Sequence, residues 1–396
     1  MFKQVVNLIE PIIPDLTAFR RDLHSHPELS RREYRTSEKI RATLAKLPNL
    51  KVLPALTGTD VIAILNADKP GRCIAIRADI DALPIQEQTG VEYQSTVPGV
   101  MHACGHDGHT AVLLGTAMVL SKLADAIPGK VKFVFQPDEE DEGGGRRLCE
   151  NGVLESPKVE GIVALHAWPS QPVGTISFSR STVTAASSPF TIRVIGVGGH
   201  GAYPHRSVDP IVISAHIITA LQTLVSRVVD PRDAAVVSVG QIRAGSADNV
   251  IPPEAEMAGT MRYLQPATGE QLHECFKRLV EQTAAAHGGR AEIKIHQGYP
   301  PLINDSTMVA LIEGAVCDLF GHDHMVIENM PSMGVEDFAY YAERVPAAMF
   351  RMGIRPAHLS DYPHLHNPGF NFNDEALPVG IRMFCEIVRR FFDVAD

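Results

Sequence analysis

At residues 61–84 the chain reads VIAILNADKPGRCIAIRADIDALP. This segment holds two short apolar runs, at residues 61–65 and 73–77, and a polar stretch with Pro70 and Gly71 separates them. A short apolar run between turn residues is typical of a strand that is buried on both faces. Similar runs alternate with helical patterns along the first 186 residues. We therefore expect an α/β domain with a mixed sheet and helices on both of its faces.

Two helical patterns precede these strands. Residues 15–24 place Leu16, Phe19 and Leu23 on one helical face. Ser30, with Glu33 three residues later, has the pattern of a capping box, so we expect a second helix from Ser30 through Leu44. A third helix is predicted over residues 110–123.

The order of elements changes between residues 187 and 296. Strand and helix patterns follow one another here in the order β-α-β-β-α-β, which is typical of ferredoxin-like folds. We therefore predict an inserted α+β domain at residues 187–296. The larger domain is then formed by residues 1–186 together with residues 297–396.

Composition excludes several classes of protein. The 396 residues include 36 Lys and Arg and 46 Asp and Glu, which gives a net charge of −10. Such an acidic chain lacks the basic surface that binds nucleic acid or anionic membranes. Its runs of consecutive apolar residues are shorter than the roughly 18 that span a bilayer.

Two further features indicate the compartment. The N-terminal segment is interrupted by Gln4, Asn7 and Glu10 and has no secretory pattern. The six cysteines are scattered and form no CxxC pair, so we expect a reduced, cytoplasmic protein.

The segment MHACGHDGH, residues 101–109, is the strongest chemical signal. It places three imidazoles, a thiol and a carboxylate just before a predicted helix. Imidazole and thiolate are the usual ligands of zinc and of neighbouring metals. Cys104 and His106 flank Gly105, whose backbone freedom lets both side chains point to one site. A polar loop capped by Asp107 would explain the same residues without a metal.

The segment QPDEEDEGGG, residues 136–145, follows a predicted strand and contains five consecutive acids. Functional groups of open α/β sheets gather beyond the carboxyl ends of the strands. Two adjacent carboxylates can then divide the work, one binding a metal and the other transferring a proton. Taken alone, the run is also typical of a solvated turn.

Two more segments contain histidines with the pattern of metal ligands. His166 follows the apolar run at residues 161–165, at what we expect to be a strand end, although a single histidine there is often structural. His364 and His366 lie two residues apart in a predicted loop, which could be a surface turn or could supply one distant ligand.

Taken together, these motifs resemble those of the dinuclear metallo-amidohydrolases, the family of hippurate hydrolase, plant auxin-conjugate hydrolases and N-acyl-amino-acid aminoacylases. The likeness extends over essentially the whole chain. The matching segments are residues 23–28 (LHSHPE), 77–84 (RADIDALP), 101–110 (MHACGHDGHT), 136–140 (QPDEE), 198–205 (GGHGAYPH), 248–252 (DNVIP), 332–338 (SMGVEDF) and 367–370 (NPGF).

The resemblance implies two divalent metal ions, which could be Zn, Mn, Co or Ni. The metal ligands that it implies are Cys104, His106, Glu140, His166 and His366. Cys104 would bridge the two ions. We expect His106 and His166 to bind one ion, and Glu140 and His366 the other. Glu139 matches the general base of the family, and Asp81 matches a residue that orients a ligand.

Three residues of the inserted domain are further candidates, and two of them, His200 and Asn249, lie in segments that match the family. His200 matches a donor that stabilises the developing oxyanion, and in relatives it comes from the partner subunit of a dimer. Asn249 and Arg262 are candidate substrate contacts, with Arg262 able to bind a carboxylate through two hydrogen bonds. Without the resemblance, His200 would be a residue of a glycine-rich turn and Arg262 a surface arginine. We accordingly expect the insert to act as a lid and to form a homodimer.

The resemblance therefore implies metal-dependent hydrolysis of an N-acyl-amino acid to a carboxylate and a free amino acid. The narrower alternatives of the same chemistry are an N-acetyl-diaminopimelate deacetylase and a dipeptidase. A relative that binds metal or ligand without catalysis is a third alternative, which the presence of Glu139 disfavours.

Overall fold

The two apolar runs that open the sequence analysis are strands in the computed structural model, which describes residues 2–393. The α-helices of this range are α1 (Phe2–Ile9), α2 (Ile13–Ser25), α3 (Tyr34–Leu44), α4 (His106–Lys122), α5 (Gly144–Glu150), α6 (Pro210–Thr223), α7 (Pro266–Ala286), α8 (Ser306–Leu319), α9 (Ala339–Ala342) and α10 (Leu377–Asp393). The strands are β1 (Leu50–Val52), β2 (Val61–Leu65), β3 (Cys73–Asp79), β4 (Lys130–Gln136), β5 (Gly161–Pro172), β6 (Ile176–Phe178), β7 (Thr182–Thr184), β8 (Ala186–Ile195), β9 (Gly199–His200), β10 (Ala235–Ala244), β11 (Val250–Ile251), β12 (Glu254–Tyr263), β13 (Arg290–Ile295), β14 (Leu302–Ile303), β15 (Met325–Ile327) and β16 (Ala347–Arg355).

The chain divides into two compact units. The larger unit comprises residues 1–183, 303–330 and 337–396, and the smaller unit comprises residues 184–302 and 331–336. Each has its own hydrophobic core.

The larger unit is built on a mixed eight-stranded sheet with the order β1-β2-β4-β3-β5-β16-β6-β15. All residues of β2 and β3 are buried. Because successive side chains of a strand point to opposite faces, both faces of the sheet are covered there. The mixed α/β architecture predicted from the sequence is confirmed.

The strand directions explain where the polar motifs gather. Strand β3 runs parallel to β4 and to β5, and Asp79 at the end of β3 lies opposite Gln136 at the end of β4. The segments that follow these two strands therefore begin at the same edge of the sheet. One leads to Cys104, and the other carries Glu139 and Glu140.

The smaller unit has a four-stranded antiparallel sheet with the order β10-β12-β8-β13. Helices α6 and α7 bury apolar side chains in its core, among them Ile217 and Phe276. A separate short ladder pairs β9 with β11.

Several element ends differ from the sequence expectations. Helix α3 begins at Tyr34 and not at Ser30, because Ser30 donates a hydrogen bond to Asp81 (2.8 Å) and Glu33 accepts one from the Arg31 amide. Helix α4 begins at His106, four residues before the predicted start. His166 lies inside β5 and not at its end, because β5 continues to Pro172 beside β16.

One segment of the described residues, Pro210–Val228, is long and apolar enough to cross a membrane by length and composition. It consists of α6 and a following π-helical turn. Polar residues such as Ser214 and His216 interrupt it, so a count of consecutive apolar residues does not find it. Its buried residues Ile213 and Leu221 belong to the core of the smaller unit. One such helix is weak evidence for a membrane span, since core helices meet the same criteria.

Gly115 provides a test of the packing around α4. A Cβ atom at Gly115 would lie 2.5 Å from Ile381 Cδ1 and 2.6 Å from Leu16 Cδ1, both of which are buried. We expect Gly115→Ala to lower the free energy of unfolding by about 1–3 kcal/mol, the usual cost of overpacking. Chemical denaturation followed by circular dichroism measures this change.

The matched control is Gly314→Ala in α8, where the nearest atom to the added Cβ is Nη1 at the end of the Arg390 side chain. That side chain can move, and alanine favours the helix by about 1 kcal/mol over glycine. We expect this variant to be no less stable than the parent protein. Equal destabilisation of both variants would contradict the packing described for α4.

Candidate metal centre

Cys104 and His106 are positioned by the turn that starts α4. Gly105 between them has φ +85°, a left-handed conformation that glycine adopts without strain. A Cβ atom there would also lie 3.3 Å from Cβ of Ala167 on β5. The close approach of this turn to β5 brings Cys104 Sγ to 3.4 Å from Nε2 of His166.

Glu140 and His366 complete the cluster. Glu140 Oε1 lies 3.8 Å from His106 Nε2 and 3.2 Å from His366 Nε2. The His366 amide donates a hydrogen bond to the Ala103 carbonyl oxygen (2.8 Å), which ties this distant segment to the start of α4. All five residues that the sequence identifies as ligands therefore lie together in the larger unit.

The donor atoms of this cluster fit divalent metal ions. One group, Cys104, His106 and His166, and another, Cys104, Glu140 and His366, each have their donor atoms within 4.8 Å of one another. The two groups share the Cys104 thiol. His106 Nε2 is buried and has no hydrogen-bond partner in the described part of the chain, as expected of an atom oriented for a metal. Sulfur, imidazole and carboxylate donors suit zinc and related ions.

The same cluster is electrostatically unusual. Burial disfavours the charged form of His106, but Asp79, Asp81 and Glu140 outweigh burial and raise its pKa to about 10. Burial raises the pKa of Cys104 well above its ordinary value, and the nearby carboxylates of Glu140, Glu139 and Asp79 raise it further. A group of acidic residues in so little water is stabilised by a cation.

Asp81 contacts two of the predicted ligand segments. Its Oδ1 lies 3.2 Å from His106 Nδ1, which leaves His106 Nε2 for a metal. Its Oδ2 accepts a hydrogen bond from the Glu140 amide (3.0 Å). Hydrogen bonds of this kind fix the orientation of a metal ligand.

Glu139 lies next to Glu140 and is 7% exposed. Its Oε1 accepts a long hydrogen bond from the Asp337 amide (3.4 Å). The loop that carries it is held at Asp138, whose amide donates to Glu33 Oε1 (3.0 Å) and whose carboxylate pairs with Arg147 (2.5 Å). The acidic run is therefore not a solvated turn over its first residues.

A second buried network, which no sequence motif predicts, lies beside this cluster. His109, Asp79 and Arg77 are fully buried and are joined by hydrogen bonds. The one available signal was the presence of Arg77 and Asp79 in a strand whose other residues are apolar. His24, which the sequence analysis did not assign as a ligand, contacts Asp107 (2.8 Å) and Glu87 (3.1 Å).

His200, Asn249 and Arg262 lie in the smaller unit. His200 on β9 pairs with Val250 on β11, and the Gly201 amide donates to the Asn249 carbonyl oxygen (2.8 Å). The Ala202 amide donates to His200 Nδ1 (3.0 Å), so the imidazole N–H of a neutral His200 is at Nε2. Arg262 lies on β12 and is partly buried, and no acidic side chain pairs with it in residues 2–393.

Known proteins resemble this chain over most of its length. A family model described as peptidase family M20/M25/M40 matches residues 75–390. The chain is 41% identical to the N-acetylcysteine deacetylase of Bacillus subtilis (strain 168) over 374 residues, which cover 94% of this chain and 95% of the relative. It is 43% identical to the N-acyl-L-amino acid amidohydrolase of Geobacillus stearothermophilus over 303 residues, 76% of this chain and 81% of the relative.

A solved structure shares the fold over almost the whole chain. It is a Bacillus subtilis protein described as a dinuclear metal binding peptidase from the M20 family, with a TM-score of 0.84 and 37% identity. The match covers 98% of this chain and 100% of that one. The chain therefore belongs to peptidase family M20/M25/M40 and is a metal-dependent amidohydrolase, which confirms the family that its motifs predict.

Proposed function

We propose that this enzyme hydrolyses the amide bond of N-acyl-L-amino acids, with hippurate-like compounds as substrates. The products are a carboxylate and a free amino acid. The observation that carries the proposal is the largely buried Glu139 carboxylate beside the cluster of donor atoms. The relatives named N-acetylcysteine deacetylase and N-acyl-L-amino acid amidohydrolase act on bonds of this class, which supports the proposed substrate.

In this proposal the cluster binds two divalent ions, as the name of the dinuclear Bacillus subtilis neighbour suggests. Cys104 would be shared by the two ions, His106 and His166 would hold one, and Glu140 and His366 would hold the other. When bound, such ions lower the pKa of water and polarise a carbonyl group.

Glu139 is the general base. Its carboxylate accepts a proton from the attacking water and then delivers it to the departing amine nitrogen, so the amine leaves as a neutral or protonated group. The Asp337 amide donates a long hydrogen bond to this carboxylate (3.4 Å).

We also propose roles toward the substrate for three residues of the smaller unit. His200 Nε2–H donates to the amide oxygen as it gains negative charge. Arg262, which has no acidic partner among the described residues, binds the carboxylate of the amino acid, and Asn249 contributes a further polar contact.

We further propose that the smaller unit is a ferredoxin-like lid, corresponding to residues 187–296, and that it forms a homodimer. Its strand order and its two helices support this prediction. On α6, Ile211 and Val212 are 42% and 48% exposed, and a partner subunit would remove this apolar surface from water. The six cysteines are free thiols, which supports the cytoplasm as the compartment.

Glu139 and Glu140 should respond differently to the same substitution. Glu139→Gln keeps the size of the side chain but cannot accept a proton. We expect it to retain both metal ions while turnover of benzoylglycine and N-acetyl-amino acids falls by roughly 10²–10⁴. Elemental analysis and steady-state kinetics on one preparation measure both quantities.

Glu140→Gln is the matched control, since it makes the same chemical change one residue away. We expect it to lose metal and to recover part of its activity when excess metal is added. Loss of metal in Glu139→Gln with retention in Glu140→Gln would reverse the two roles. Normal turnover in both variants, or no turnover of any acyl-amino acid by the metal-loaded parent, would refute the proposed function.

Metal binding should protect Cys104. A thiolate bound to metal is shielded from alkylation and becomes accessible to reagent after a chelator removes the ion. We expect iodoacetamide to label Cys104 in chelator-treated protein much faster than in metal-loaded protein, as measured by peptide mass spectrometry. Cys317, which is not in the cluster, is the internal reference. Equal labelling of Cys104 in both samples would remove it from the ligands.

The proposed dimer can be tested through α6. Val212→Lys places a charge on the exposed apolar surface, and we expect light scattering to show a shift from dimer to monomer at micromolar concentration. Met330→Lys is the control, because Met330 is 86% exposed in the larger unit and its replacement should leave the dimer intact. A parent protein that is monomeric under these conditions would contradict the proposed dimer.

A further inference from the structure

His109 is the third imidazole of the motif at residues 101–109, and the proposed ligands do not include it. Its side chain is fully buried. The centres of its ring and of the His166 ring are 4.8 Å apart, and the two rings are nearly perpendicular at 67°. A polar side chain in such a place has both nitrogens satisfied or is costly to bury.

Both nitrogens of His109 form hydrogen bonds, Nε2 as an acceptor and Nδ1 as a donor. The backbone amide of Ala167 can only donate, and it lies 2.8 Å from His109 Nε2. Nε2 therefore accepts and carries no proton, which makes the imidazole neutral with its proton at Nδ1. Nδ1 lies 2.6 Å from Asp79 Oδ1 and donates to that carboxylate.

These two hydrogen bonds exclude His109 as a metal ligand in this geometry. The lone pair of Nε2 is used by the Ala167 amide, and Nδ1 carries the proton that Asp79 accepts. The three-residue group Asp79, His106 and His109 has donor atoms close enough for an ion. Its short internal hydrogen bond explains this closeness without a metal.

The other end of the network is also fixed. Arg77 Nη1 donates to Asp79 Oδ2 (2.7 Å), and Arg77 Nη2 donates to Asp337 Oδ1 (2.7 Å). Asp337 also accepts hydrogen bonds from Gln136 Nε2 and from the Gly145 amide. The chain Asp337–Arg77–Asp79–His109 is buried throughout and alternates in charge up to the neutral imidazole.

The hydrogen-bonded network that contains His109 ends at the amide of Ala167, the residue after His166. Residues 166 and 167 share one peptide unit, so the hydrogen bond to the Ala167 amide helps to fix the backbone from which His166 projects, together with the pairing of this part of β5 with β16. His166 Nδ1 contacts the Ala167 carbonyl oxygen (2.8 Å), which leaves Nε2 directed at Cys104 Sγ. The orientation of His166 thus depends on the backbone at Ala167.

We propose that His109 is a positioning residue, which, in its Nδ1–H form, holds the backbone at Ala167 so that His166 is oriented to bind a metal ion. This inference rests on the proposed function in one respect, the role of His166 as a ligand. Residues that orient a ligand typically change metal affinity by 10–100-fold when they are replaced.

Two amide variants separate the two hydrogen bonds of His109. The glutamine side chain of His109→Gln reaches the position of Nε2, and its amide oxygen can accept from Ala167. The shorter side chain of His109→Asn reaches the position of Nδ1 and can only replace the donor to Asp79. We expect His109→Asn to weaken one of two Co²⁺ sites by about 10–100-fold and His109→Gln to weaken it less. Cobalt titration of the metal-free protein, followed by the thiolate-to-metal absorption band, measures each site.

Two outcomes of the cobalt titration would contradict the proposed role of His109. Parent-like constants in both variants, or a greater loss in His109→Gln than in His109→Asn, would overturn the inference while leaving the proposed function intact. A parent protein that binds no cobalt would refute the proposed metal site itself.

A measurement on the unaltered protein covers the case in which a variant does not fold. Nitrogen-15 NMR of the zinc-loaded parent, with labelled histidine, reports which nitrogen of each imidazole carries the proton. We expect a protonated Nδ1 and an unprotonated Nε2 for His109, and the resonance can be assigned by its loss in either folded variant or by through-bond correlation. A protonated Nε2 would overturn the inference.

Discussion

The structure of the larger unit depends on the cost of burying charge. Several carboxylates, a thiol and the imidazoles of His106 and His109 lie buried at one edge of an eight-stranded sheet. Buried charges are tolerated when they are paired, hydrogen-bonded or bound to a metal. Arg77 pairs with Asp79 and Asp337, and Asp81 is hydrogen-bonded by His106 and Glu140. The remaining donors, around Cys104, are those that a cation would stabilise.

The parallel strands explain where the cluster forms. Strands β3, β4 and β5 run in one direction, so the segments that follow β3 and β4 begin at the same edge of the sheet. The turn at Gly105, which starts α4, lies against Ala167 of β5. The apolar residues of these strands exclude water, and the polar residues that follow them provide the chemistry. The strand residues therefore stabilise the fold, and the residues just after the strands form the candidate site.

Sequence reasoning succeeded where a local pattern determines structure. The apolar runs at residues 61–65 and 73–77 identify buried strands, and the HACGH and PDEE segments identify residues that meet in space. Sequence patterns did not predict features that depend on contacts between residues distant in the chain. Residue 108 in the first turn of α4 is a glycine because the Phe372 ring occupies the place that a Cβ atom would take. The length of β5 is set by its pairing with β16, and the partner of His109 is a backbone amide 58 residues away. No local pattern encodes these contacts.

The central claim is that Cys104 joins two metal sites. Anomalous X-ray diffraction from crystals of zinc-loaded protein, collected at the zinc absorption edge, tests it directly. We expect two peaks, one bounded by Cys104, His106 and His166 and the other by Cys104, Glu140 and His366, with donors at about 2.0–2.3 Å. A single peak, or two peaks of which only one lies next to Cys104, would contradict it.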